Sequence, residues 1–293
     1  MIKAPDKQIP GIYHRRVGDI TVTAVSDGFL DGNLEVLRNL DEAAARQILT
    51  ANFRPVRRTA VNCFLIHTAG KVALIETGCG RLMADTGGRL LGNLAAAGVD
   101  PASIESVLLT HMHPDHSAGL TDAATGQRYF PNAELVMHEN EPRHWFDDAA
   151  MARGNEREKS LFFQAGRDQT EPYRDRWRLF AKEGEVLPGV TAIPLHGHTP
   201  GHTGYLIASG NQSLLIWGDI VHIPEVQTAR PEACMAYDTD TTQAEATRRR
   251  VFDMVATDKL LVTGMHLHFP GFSHLIRDGS GYRLIPAAWE QVI

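Results

Sequence analysis

Thr110-His111-Met112-His113-Pro114-Asp115-His116 puts four potential metal ligands within six residues. The apolar run Ser106 to Thr110 that leads into it reads as a short buried strand, so the four side chains sit on a loop at a strand's C-terminal end. His111 and His113 are two apart. In an extended segment they point the same way and can share one ion. Asp115 and His116 follow a proline-constrained turn and can face a second ion. Three imidazoles and a carboxylate converging on one loop are costly unless a metal or an equivalent partner satisfies them.

Three more segments have the same character. Leu195 to Thr203 reads Leu-His-Gly-His-Thr-Pro-Gly-His-Thr and follows an apolar strand. Ile216 to Ile220 reads Ile-Trp-Gly-Asp-Ile, with Asp219 at a strand end. Thr263 to His268 reads Thr-Gly-Met-His-Leu-His, at another. The chain's fourteen histidines are thus clustered, and imidazole is the commonest protein metal ligand. Ligands sent from several strand ends to one rim are what a buried binuclear centre needs.

Around these loops, strands are expected at Ile20 to Val25, Glu134 to Met137, Val190 to Pro194, Gly204 to Ala208, Ser213 to Trp217 and, last, Leu260 to Thr263. Val61 to His67 and Lys71 to Glu76 read as a hairpin joined by Thr68-Ala69-Gly70. Helices are expected at Asp41 to Ala51 with Asp41 as cap, at Leu82 to Ala97, and at Thr242 to Ala256. The segment from His138 to Lys182 reads as polar and helical. Two groups of strands with helices between and after them suit an α/β chain of two packed sheets with helices outside, a single domain over 1–293 with residues 1–17 as an N-terminal arm.

His111-x-His113-x-Asp115-His116, with His202, Asp219 and His266 further along, resembles the metallo-β-lactamase superfamily. The likeness runs from about Ile20 to Pro270 and includes Glu76-Thr77-Gly78. Within the superfamily it is closest to the methyl parathion hydrolase-like and quorum-quenching lactonase branch, on Thr110 to Leu120, Trp217-Gly-Asp-Ile-Val-His222 and His266-Leu-His-Phe-Pro-Gly271. The resemblance implies an αββα sandwich of two mixed sheets holding two divalent ions, zinc first among them. By position, His111, His113 and His202 would hold one ion and Asp115, His116 and His266 the other, with Asp219 bridging. Glu76 stands where the superfamily usually has Asp, a difference that touches ligand orientation. His196 and His198 are then expected to shape the loop rather than bind metal.

The implied activity is hydrolysis of lactones or related esters by a metal-bridging hydroxide, with phosphotriesters as a side activity and Asp115 and His222 in the catalytic set. His222 lies three residues past Asp219, where lactonases of the superfamily have tyrosine. It is expected to line the site as a polar group. A glyoxalase II-like thioesterase, a phosphodiesterase, a true β-lactamase and a non-catalytic metal-binding scaffold remain as alternatives. The resembled branch also implies a homodimer.

Other classes fare worse. There is no Gly-x-Ser-x-Gly elbow, phosphate-binding loop or His-Glu-x-x-His helix. With 29 basic against 35 acidic residues and a net charge of −6, no basic footprint marks a nucleic-acid partner. No stretch approaches the roughly 18 apolar residues of a membrane span, and Met1 to Arg16 has no apolar run of the signal kind. Cys63, Cys79 and Cys234 are odd in number and form no Cys-x-x-Cys pair, which suits the cytoplasm. A small-molecule substrate is expected; Trp145, Phe146, Phe162, Phe163, Trp177 and Phe180 can wall an apolar pocket for it, although aromatics at helical spacing are more often core. Of the adjacent Phe162 and Phe163, one should face the core and the other project. His14, His67, His138 and His144 read as surface residues, and Cys79 as an inert packed thiol.

Overall fold

The strand Arg57–Thr68 is buried on both faces over most of its length. Phe64 and Ile66 pack toward a second sheet, while Cys63 and Leu65 pack against helices outside. That double burial makes its sequence read as one apolar run instead of an alternation. In the computed structural model, which describes residues 4–293, this strand belongs to a seven-stranded sheet. The order is Ile12–Val17, Ile20–Gly32, Arg57–Thr68, Lys71–Ile75, Ser106–Leu108, Glu134–His138 and Trp177–Phe180. Pairing is antiparallel up to Lys71–Ile75 and parallel beyond it.

The second sheet also has seven strands, in the order Gly281–Pro286, Ser273–Asp278, Leu261–Thr263, Gln212–Ile216, Thr203–Ser209, Val190–Pro194 and Gly184–Leu187. Gln212–Ile216 and Leu261–Thr263 are its one parallel pair. The inner faces meet through Val22, Ala24 and Ile75 on one side and Ala192, Tyr205 and Ile216 on the other. Helix Thr241–Asp258 covers the far side of the second sheet, laying Val251, Phe252 and Val255 on Leu215, Trp217 and Val262. The layers are therefore helix, sheet, sheet, helix, an αββα sandwich. The strands that end at Leu108, Ile216 and Thr263 all run toward one edge, as ligand-bearing strands of open α/β sheets do.

Several local expectations are met. Arg57–Thr68 and Lys71–Ile75 form the hairpin, and Asp41 caps helix Glu42–Ala51 by accepting from Ala43 N at 2.6 Å. The helix expected from Leu82 is shorter, Leu90–Ala96. Its missing first half is a loop drawn around the buried Asp27, whose carboxylate accepts from Cys79 N (2.8 Å), Gly88 N (3.0 Å) and Leu90 N (2.8 Å). Asp27→Ala strips three amides of their acceptor, those of Cys79 and Leu90 buried and that of Gly88 partly so. It should cost roughly 3 kcal/mol or more, read as a lowered urea midpoint at unchanged slope.

Other corrections concern the ends of the sheets. Residues 1–17 are not simply an arm: Ile12–Val17 is the edge strand of the first sheet, and residues 1–3 lie outside the described residues. The 138–182 segment is helical only in part, since Trp177–Phe180 joins the first sheet. Leu261–Thr263 is not the last strand, because Ser273–Asp278 and Gly281–Pro286 extend the second sheet to its edge. These edge strands have exposed faces and weak alternation, so little apolar pattern marks them. No helix among the described residues is long and apolar enough to cross a membrane.

Candidate metal centre

Four short loops bring the polar side chains to one sheet edge. His111, His113, Asp115 and His116 leave the strand Ser106–Leu108, with Pro114 opening a single helical turn over Pro114–Ser117. Asp219 follows Gln212–Ile216 through Gly218, which has φ +59°. A methyl on Gly218 would overlap the His202 ring, so glycine is required there. His266 follows Leu261–Thr263, and His198 stands in the loop between Val190–Pro194 and Thr203–Ser209.

The geometry forms two groups sharing one carboxylate. His198 Nε2 lies 3.1 Å from His111 Nε2 and 3.0 Å from His113 Nδ1. Asp115, His116 and His266 form the second group, with Asp115 Oδ2 3.5 Å from His266 Nε2 and Asp115 Oδ1 3.7 Å from His116 Nε2. Asp219 Oδ2 lies between the groups. It is 3.4 Å from His198, 3.7 Å from His111, and 3.2 Å from each of His116 and His266. His222 Nε2 is 2.9 Å from the same oxygen, and its ring stacks on His266. All but Asp115 are essentially buried.

Orientation comes from the surrounding backbone and carboxylates. His266 Nδ1–H donates to Ala60 O at 2.7 Å, and the Asp238 carboxylate accepts from His198 Nδ1 at 2.7 Å. Glu76, at φ +67°, accepts from Thr110 N with one oxygen (2.6 Å) and sets the other 3.3 Å from His116 Nδ1. The longer acid thus still reaches the histidine that it must orient. Each of these arrangements turns the histidine's Nε2 lone pair toward the cluster, as outer partners of metal-bound imidazoles do.

His202, expected beside His111 and His113, is placed elsewhere. Its Nδ1–H donates to Leu195 O (2.8 Å) and its Nε2 accepts from Asp219 N (2.8 Å), so no lone pair is left for an ion. Its backbone explains this. Leu195 N donates to His202 O, which continues the pairing of the flanking strands and folds the ring back under them. His198, four residues earlier and read as loop-shaping, takes the position instead.

Burial pushes the imidazoles of His111 and His113 well below their usual range, leaving them neutral with a lone pair available. Burial opposes ionisation of Asp219, yet His116, His266 and the other rings hold its carboxyl well below the usual range. Buried atoms of these residues are left without a hydrogen-bond partner: His116 Nε2, 3.2 Å from Asp219 Oδ2, Asp219 Oδ1, and His222 Nδ1. Facing lone pairs and orphaned acceptors are what divalent cations would resolve. The donor set, nitrogen and oxygen without thiolate, suits zinc and its first-row neighbours.

One organising residue carried no sequence signal. Glu141 is fully buried and accepts from Met112 N (2.8 Å), Trp145 Nε1 (2.8 Å), Thr199 Oγ1 (2.5 Å) and Gly201 N (2.8 Å). It therefore ties the His111–His113 loop to the His198–His202 loop. Glu141→Gln, which places an NH2 among donors, should weaken metal binding about 10- to 100-fold, measured by competition with a chromophoric chelator.

Of the six aromatics expected to wall a pocket, Phe162 lines the cleft, whereas Phe146 and Trp177 pack against the outer core and Phe180 against the core between the sheets. Phe163 is buried against Trp145, while Phe162 turns its ring onto His113 at 4.6 Å and lines the cleft. Trp145 is core. His222 packs against His198, His266 and Tyr237. His138 is buried, contrary to the surface reading, its ring against Phe180 and His196. Cys79 is buried, and burial pushes its thiol up, as an inert group requires.

Residues 56–266 match the model of the metallo-beta-lactamase superfamily. The crystal structure of hydrolase AbOPH, in the beta lactamase superfamily, superposes with a TM-score of 0.90 at 30% identity, covering 97% of this chain and all of that one. AidC, a dizinc quorum-quenching lactonase in complex with a product, gives 0.89 at 25% identity over 96% of this chain and 99% of AidC. An uncharacterized protein of Bacillus subtilis (strain 168), YobT, is 27% identical over 159 residues, 54% of this chain and 61% of YobT. The chain thus spans about three-fifths of that relative's length.

The chain belongs to the metallo-beta-lactamase superfamily. Its buried histidine and aspartate clusters fit a two-metal site.

Proposed function

We propose that this protein hydrolyses lactones or related carboxylic esters at a two-metal centre, with neutral phosphotriesters as a side activity. The observation that carries the reading is the convergence of His111, His113 and His198 on one side of Asp219 Oδ2 and of Asp115, His116 and His266 on the other. These residues would hold two divalent ions, zinc by preference. Bound there, the ions would supply a nucleophilic hydroxide near neutral pH and polarise the oxygen of the scissile group. The likeness to a dizinc lactonase at 25% identity over nearly the whole of both chains supports the lactone class.

The chain's own groups do the rest. Leu30, Val36, Met83, Leu161 and Phe162 wall a cleft of about 90 Å³ with apolar surface. Its floor is Asp115, Asp219 and His222. His222, pushed down to about 4 chiefly by burial, is neutral in the working range, and its ring, with Nε2 2.9 Å from Asp219 Oδ2, lines the cleft where the substrate's oxygen would lie. Its backbone N–H is held by Gln227 Oε1 at 2.6 Å, which fixes where the ring stands.

A panel of lactone, aryl ester, thioester and phosphotriester substrates tests the reading, before and after chelation. Lactone turnover should vanish with chelator and return with zinc. A metal-loaded protein that cleaves only thioesters would replace the lactone class with the thioesterase one.

A further inference from the structure

The cleft is apolar apart from its floor, yet Arg57 and Arg157 line it and, among the described residues, neither makes an ion pair. The contrast with Arg58 is informative. Arg58 commits its guanidinium to Asp31 through two hydrogen bonds of 2.8 and 2.7 Å on one face of the strand. Arg57 and Thr59 share the other face, toward the cleft. Arg57 Nε and Thr59 Oγ1 are both buried without a hydrogen-bond partner. Buried donors left bare are costly.

Space for the guanidinium is built in. Gly32 pairs with Arg57 across the ladder, and a methyl on Gly32 would overlap Arg57 Nη2. Gly32 has no positive φ, so its lack of a side chain is what the position uses. The acidic groups lining the cleft, Asp115 and Asp219, face the histidine cluster and are committed there. Tyr237, on the same cleft, offers another hydroxyl beside this arginine.

From this pattern we infer that Arg57 and Thr59 form a subsite for an anionic oxygen group, carboxylate or phosphoryl, carried by the substrate next to the bond that is cut. The inference rests on the hydrolase reading and narrows its substrate class. Arg157, exposed at the rim, adds positive charge along the approach.

The test compares three matched lactone or ester substrates: one neutral, one with an added carboxylate and one with an added phosphate. The metal-loaded wild type should favour at least one anionic member in kcat/KM by about ten- to hundredfold, the range of a charged hydrogen bond, through a lower KM. Arg57→Met and Gly32→Ala should each bring that preference close to one, and Arg57→Lys should keep part of it, since the ammonium retains charge without the planar fork. Which anionic member wins identifies the group. A wild type without preference, or an Arg57→Met loss equal on all three substrates, overturns the subsite. If no ester or lactone is turned over, the hydrolase reading fails separately. Calorimetric titration of glutarate and phenyl phosphate into the metal-loaded protein then decides the subsite. Binding weakened tenfold or more in Arg57→Met upholds it, and equal or absent binding overturns it.

Discussion

Asp219→Ala is expected to lower lactone turnover by about three orders of magnitude or more, roughly 4 kcal/mol of barrier, and to bring bound metal below two per chain. The reason is that one oxygen, Oδ2, serves both halves of the site. It stands within 3.7 Å of ring nitrogens of His111, His116, His198 and His266. No neighbouring acid can replace it. Asp115 already belongs to the second group, and Glu76 reaches His116 from behind, at Nδ1. Removing Asp219 also leaves His116 and His266 without the charge that, against burial, raises their imidazoles. Metal content and turnover should therefore fall together. Retention of both ions with near-normal turnover would remove Asp219 from the centre.

The second large effect separates two histidines that lie four residues apart. His198→Ala removes one of the three nitrogens of the first group, and three protein ligands are what a catalytic zinc usually has. Bound metal should drop to about one per chain, with turnover down by roughly two to three orders of magnitude. His202→Ala leaves both groups of ligands intact. It removes the acceptor for Asp219 N and the link to Leu195 O, so metal should be retained and turnover should fall no more than about 10- to 100-fold. Metal analysis of the two variants side by side checks this. The reverse pattern, with metal lost from the His202 variant alone, would restore the assignment that the family resemblance implied.

The difference between those two residues shows what this sequence reveals and what it hides. The loop from His111 to His116 is legible because strand, proline turn and ligand spacing are all local. Asp219 and His266 are legible because each follows an apolar strand with glycine one or two residues ahead. His198 and His202 are both histidines of one loop, and only the pairing of Leu195 with His202 decides which ring faces the cluster. That pairing is a tertiary fact. Glu141 and Asp238 are hidden for a related reason. Each is an acid without a motif, made meaningful by backbone amides or a ring brought from distant segments.

In the fold, the central strands were readable because burial on both faces gives unbroken apolar runs. The edges were not. Ser273–Asp278 and Trp177–Phe180 are half exposed, and their place in the sheets rests on neighbours. The loop at 82–89 misled in another way. Its composition allows a helix, but the buried Asp27 carboxylate gathers the Cys79, Gly88 and Leu90 amides and holds the chain in a loop.

The central claim is a two-metal centre built on a shared Asp219. Anomalous diffraction at the zinc edge from crystals of the zinc-loaded protein tests it most directly. Two peaks are predicted, one among His111, His113 and His198 and one among Asp115, His116 and His266, with Asp219 between them. A single peak, no peak, or a peak bound by His202 would contradict it.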